Sequence, residues 1–179
     1  MTEKEKKLIN RLRSEIGDKE EPYRFLDEDL YDLLKEAVGD YSRHRPQKLR
    51  GKLTLLSGVT EYQLPDDYQT WISGLAGYDI FERTLFLSAT PTGQVDLVFT
   101  YLGDHTLETI PDRDASLLCD YSMWKLLDSI VREGAEISGL KLGKGLDIKF
   151  GNFDQISAIA KQRHERYMQL VTKPLGVWS

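Results

Sequence analysis

A chain of 179 residues, 40% hydrophobic and 30% charged, is long enough for one core with a sub-lobe and too apolar to be disordered. Its single cysteine, Cys119, excludes an internal disulfide, and no apolar run approaches the roughly 20 residues that a membrane span needs. The net charge of −5 gathers in residues 51–110, with 8 acidic against 2 basic side chains, which argues against wrapping nucleic acid with that third.

Residues 1–7 lack the apolar core of a signal peptide, so synthesis in the cytoplasm is expected. Leu8, Ile9, Leu12 and Ile16 then share one side of a first helix, which Gly17-Asp18 ends. A polar connection with Pro22 leads to a second helix. Asp27 is its expected N-cap, and Glu28 and Asp29 suit the positive end of the helix dipole. Leu30, Leu33, Leu34, Ala37, Val38 and Tyr41 form the buried stripe, and Pro46 stops the helix.

From about residue 51 to 102 the period changes to two. Leu53 and Leu55 lead to a Ser57-Gly58 turn from which Tyr62 and Leu64 return, a predicted hairpin. A second predicted hairpin joins Leu85-Phe86-Leu87 through Pro91-Thr92-Gly93 to Val95, Leu97, Phe99 and Tyr101. The stretch from Trp71 to Ile80 reads as one further strand. Pro111-Asp112 opens the longest helix, to about Glu136, with Ala115, Leu118, Cys119, Ser122, Met123, Leu126, Leu127 and Ile130 on its core face. Leu117, Tyr121 and Trp124 fall on a different face, which either the sheet or a second subunit must cover. Glycines space residues 139–151 as a hairpin or an extended loop. A last helix runs from about Phe153 to Val171, with Phe153, Ile156, Ile159, Ala160, Tyr167, Leu170 and Val171 inward. The fold class that results is α+β: an antiparallel bundle of about four helices with a small antiparallel sheet or partial barrel inserted in the middle. All 179 residues are expected to form a single domain: N-terminal helices in 1–50, a sheet lobe in 51–110, long C-terminal helices in 111–172 and a tail in 173–179.

Every candidate for chemistry has a simpler structural explanation. Gly139, Gly143, Lys144 and Gly145 resemble a phosphate loop, but the glycine spacing is one residue short and Gly145 stands where a hydroxyl should. Asp66 and Asp67 follow Pro65 as turn residues, while Asp112 and Asp114 suit the first turn of a helix. His44, His105 and His164 are not at metal-ligand spacing, and Cys119 is on a buried face. No catalytic residue, metal site or cofactor is expected, and the chain is not read as an enzyme.

Two features point to contacts instead. Arg43, His44, Arg45, Lys48 and Arg50 form a basic cluster at a helix end, suited to the dipole, to nucleic acid or to the acidic middle of a neighbouring copy. Beyond Pro174, Leu175, Val177 and Trp178 form an apolar tail that docks either on its own domain or in a partner's groove.

The order of these pieces resembles the head–tail connector, or portal adaptor, proteins of tailed bacteriophages. The first helix ends in Gly17-Asp18, and the second starts with Phe25-Leu26-Asp27-Glu28-Asp29-Leu30 and ends with Ala37 to Tyr41-Ser42. A glycine turn leads to Tyr62-Gln63-Leu64-Pro65-Asp66-Asp67, Pro91 to Gly93 follow, and Ile110-Pro111-Asp112 opens the long helix. The resemblance spans nearly the whole chain, each motif being a cap or turn and only their order specific. It implies a structural protein of the virion neck, a ring of twelve copies beneath the portal that joins head to tail. Implied partners are the portal, copies of itself, and a tail or nozzle protein, with DNA passing through without sequence-specific binding and no membrane. On that basis Leu117, Tyr121 and Trp124 are candidates for the subunit interface. Arg43, Arg45 and Lys48 would pair with acidic neighbours, and Leu175, Val177 and Trp178 would dock on the portal. Another neck or tail-completion protein, or a small DNA-packaging or DNA-binding factor, is the alternative.

Overall fold

The computed structural model describes residues 1–132, 140–142, 146–148 and 153–173. In chain order come α1 (Glu3–Ile16), α2 (Asp27–His44), β1 (Gln47–Leu55), β2 (Glu61–Gln63), β3 (Tyr68–Ser73), β4 (Tyr78–Phe81), β5 (Thr84–Leu87) and β6 (Val95–Gly103). A 3-10 turn (Asp112–Asp114) then leads into α3 (Ala115–Arg132), β7 (Leu140–Leu142), β8 (Leu146–Ile148) and α4 (Phe153–Val171). The fold is α+β: four helices and two small three-stranded antiparallel sheets, neither closed into a barrel, among the described residues. Two compact units divide it, Met1–Arg45 with Thr106–Ser179, and Pro46–His105.

In the helical unit, Thr2 and Glu5 cap α1 reciprocally. The Thr2 hydroxyl accepts the Glu5 N–H (3.3 Å), and the Thr2 N–H donates to the Glu5 carboxylate (2.7 Å). Gly17 ends the helix in the left-handed region at φ 73°, where a Cβ would be strained. The core is built from the predicted stripes: Leu12, Leu30, Leu34, Leu118, Met123, Leu127 and Tyr167 are fully buried. Phe153 departs from its predicted inward place and is exposed at the first position of α4. Asp27 is not the N-cap of α2. That place belongs to Leu26, and the Asp27 carboxylate instead accepts Arg13 Nη2 at 2.7 Å, a charged partner that outcompetes a backbone amide.

Arg13 closes the α1–α2 connection. Its guanidinium also donates to Asp18 (2.5 Å) and to the Phe25 carbonyl (2.8 Å), and lies 4.0 Å over the Tyr23 ring. Between α3 and α4, β7 and β8 pair antiparallel, the pairing that the hairpin alternative requires. The residues between those strands, including Gly143, Lys144 and Gly145, lie outside the described set.

In the sheet unit, both predicted hairpins are replaced by longer-range pairing. β1 does not pair with β2. All nine of its residues, Gln47–Leu55, lie in register with β6, Gly103–Val95. The Ser57-Gly58 turn exists, with Gly58 at φ 79°, but it carries the chain from one sheet to the other. There the Tyr62 hydroxyl takes the Leu56 N–H at 2.8 Å, where a hairpin would have used a strand carbonyl. β5 likewise pairs with β2 and β4 instead of β6, giving sheet orders β1–β6–β3 and β2–β5–β4. A nine-residue ladder satisfies far more backbone groups than a three-residue one, which is why the long strands find each other. Residues 71–80 are two strands in different sheets, not one. The two sheets share a core of Leu55, Leu64, Leu85, Leu97, Phe99 and Tyr101.

Candidate functional site between α2, α3 and α4

The helical unit carries a depression of about 310 Å3 whose walls come from three helices. Glu36, Asp40 and Arg43 recur at helical spacing on α2, Tyr121, Trp124 and Lys125 on α3, and His164 and Met168 on α4. Its floor is aromatic. Tyr121 meets Trp124 edge-on at 5.3 Å and Tyr167 at 5.2 Å, and Trp124 stacks on the His164 imidazole at 3.9 Å with 20° between planes. Its rim is ionic. Lys125 Nζ lies 2.7 Å from Glu36 and 5.0 Å from the Trp124 ring centre, a charge held by a carboxylate and a π face together.

Tyr121 in the floor and the buried Tyr167 packed against it are both anchored as donors. Tyr121 donates to Glu36 (2.9 Å) and Tyr167 to Asp40 (2.7 Å). Burial, then the carboxylate that each phenol bonds, pushes both hydroxyls well above the ordinary tyrosine range. Glu36 moves the other way, lowered first by its hydrogen bond from Lys125. What the depression offers is shape, aromatic ring contact and charge, with the two phenols held protonated and Glu36 paired to Lys125. No group of three His, Cys, Asp or Glu side chains that could hold a metal occurs among the described residues.

Of the predicted contact residues, the fold brings Tyr121, Trp124 and Arg43 together at this depression. Leu117 is corrected to a core position, 4% exposed. The face it shares with Tyr121 is covered from within the chain, so only Trp124 and the rim remain for a neighbour. Arg45 is also corrected. It turns inward, donating to the carbonyls of Val171 (2.9 Å) and Leu170 at the end of α4 and reaching Asp114 (3.4 Å), so it is not free to pair with an acidic neighbour. The unsatisfied carbonyls of a helix C-terminus explain that choice. Lys48 is exposed on β1, in the other unit. Leu175, Val177 and Trp178 lie outside the described residues.

The carboxylate pairs of the sequence are tied up separately. Asp114 accepts the Tyr41 hydroxyl (2.7 Å), Asp67 accepts that of Tyr101 (2.9 Å), Asp66 faces Arg83 (3.1 Å) and exposed Asp112 faces Lys4 (3.7 Å). Burial pushes the Cys119 thiol up to about 12, leaving no thiolate at neutral pH. Beside it lies an ionic cluster with no sequence signal: buried Asp120 accepts Arg163 (2.6 Å), which also reaches Glu15 (3.1 Å), while Arg166 stands 3.3 Å away. Only the packing of α1, α3 and α4 puts these four residues together.

No model of a known protein family matches the chain, and no curated protein does.

Proposed function

We propose that this chain is a structural adaptor subunit of a tailed-bacteriophage neck, without enzymatic activity. Copies would form a ring, of twelve in the related adaptors, that binds the portal, joins head to tail and lines part of the DNA passage. The observation that carries this reading is the interrupted helical unit. α1 and α2 share one core with α3 and α4, and a self-contained sheet unit is inserted between them, the order that the connector motifs imply. The depression at Trp124 supports it as the patch for a neighbouring subunit, because stacked aromatics ringed by charges are the composition of interface anchors.

Mass measurement of the chain alone and with isolated portal rings tests the assignment. A chain that assembles as a ring on the portal supports it, and a chain that captures isolated tails but never portals would be a tail-completion protein. Deleting residues 174–179 should remove portal binding while leaving the monomer folded, and unchanged capture would take the docking role away from Leu175, Val177 and Trp178.

A further inference from the structure

Alternation along β1 sorts its side chains by face. Leu49, Leu53 and Leu55 turn to the core of the sheet unit, and Lys48, Arg50, Lys52 and Thr54 stand exposed on the other side. The strand register extends that outer face across the sheet. Lys48 is level with Leu102 and Thr70, Arg50 with Thr100 and Ser73, Lys52 with Val98, and Thr54 with Asp96. Asp96 is the only carboxylate in those rows, and Lys52 (2.8 Å) and Thr54 (3.0 Å) already hold it. Among the described residues no carboxylate pairs with Lys48 or Arg50. Residues 46–105 contain four basic side chains, and three of them share this face, so the acidity of the segment as a whole conceals a cationic stripe.

We propose that this outer face binds the phosphate backbone of duplex DNA without reading its sequence. Cations at alternate strand positions stand about 7 Å apart along a straight line, and the hydroxyls of Thr70, Ser73 and Thr100 lie beside them as further donors. No aromatic side chain occurs in these rows to stack an unpaired base or to anchor a protein partner, which disfavours a single strand and an acidic protein alike. Duplex DNA presents twice the charge density of a single strand and needs only the cations and hydroxyls that are there. β1 is an edge strand among the described residues, so no further described strand of its sheet flanks the stripe on that side. The inference is independent of the adaptor assignment, since it concerns the sheet unit alone.

The test is fluorescence-anisotropy titration of the full chain with mixed-sequence duplex DNA across a range of salt concentrations. The expected result is binding of about 10⁻⁴ to 10⁻⁶ M whose logarithm falls linearly with that of salt. K48Q/R50Q should flatten that slope by roughly 1.8, about 0.9 for each phosphate that is no longer neutralised, and K48E/R50E should abolish binding. Both side chains are exposed, so thermal melting of the variants should match that of the wild type. Absence of binding by the wild type, equal slopes in the variants, or tighter binding of a single strand would overturn the proposal. So would preference for a polyglutamate peptide over duplex DNA, which would give the face to an acidic protein instead.

Discussion

Gly51 and Phe99 face each other across the β1–β6 ladder, and the phenyl ring lies flat over the position a side chain would fill. A Cβ on residue 51 would stand 2.2 Å from Phe99 Cζ. The ring has nowhere to go, because it is 1% exposed and stacked on Trp71 at 4.6 Å with 3° between planes. Gly51→Ala should therefore destabilise the chain by about 1–3 kcal/mol, the ordinary cost of overpacking a filled core. Urea denaturation measures it, and an unchanged midpoint would mean that the ring can swing aside.

Arg13 is 5% exposed and bonds to Asp18, Asp27 and the Phe25 carbonyl at once. Arg13→Met strips the Asp18 carboxylate, whose side chain is 9% exposed, of its cation, a loss of up to about 3–5 kcal/mol, the figure for fully buried pairs. Lysine should not restore the stability, since one ammonium cannot reproduce a planar fork shared among three acceptors. Thermal melting of the two variants decides between lost charge and lost geometry.

Alkaline pH should weaken the fold through its tyrosines. Burial, then a hydrogen bond to Asp114, raises Tyr41 to about 12, and burial with Asp67 raises Tyr101 to about 12. A raised folded-state value means that the native phenols keep protons that the unfolded chain has already released. Their contribution is complete below pH 10, the unfolded value, and is lost as pH climbs from 10 to 12. Denaturant midpoints should fall across that window. Tyr41→Phe should flatten the fall while lowering the plateau, because Asp114 loses its donor.

Trp124 is only partly buried, so Trp124→Ala should leave a folded monomer and impair assembly. The expected signature is a modest loss of melting temperature together with loss of ring formation on portals, read by light scattering. Intact rings would move the subunit contact away from the depression.

The helices were legible because their signals are local. Four apolar stripes, the Gly17 stop and the bounds of α4 follow from spacing and caps that act within a turn or two. Period two in residues 51–102 likewise announced strands, but it says nothing about which strand lies beside which. Val95–Gly103 paired with Gln47–Leu55 because the two are equally long, a fact invisible in the turn residues between nearer strands. The depression between α2, α3 and α4 was legible only in part. Tyr121 and Trp124 line it as their shared spacing suggested, yet Leu117 at the same helical spacing is core.

What the residues determined by themselves is the four helices with most of each apolar face, the strand-forming character of residues 51–102 and the α+β class, because propensity and periodicity operate within a segment. What only the tertiary structure decided is the pairing of the strands, the inward turn of Arg45 and the convergence of Glu36, Tyr121, Trp124 and His164. Those outcomes depend on which buried donors and acceptors find partners across distant stretches of chain, a competition settled by the whole fold at once.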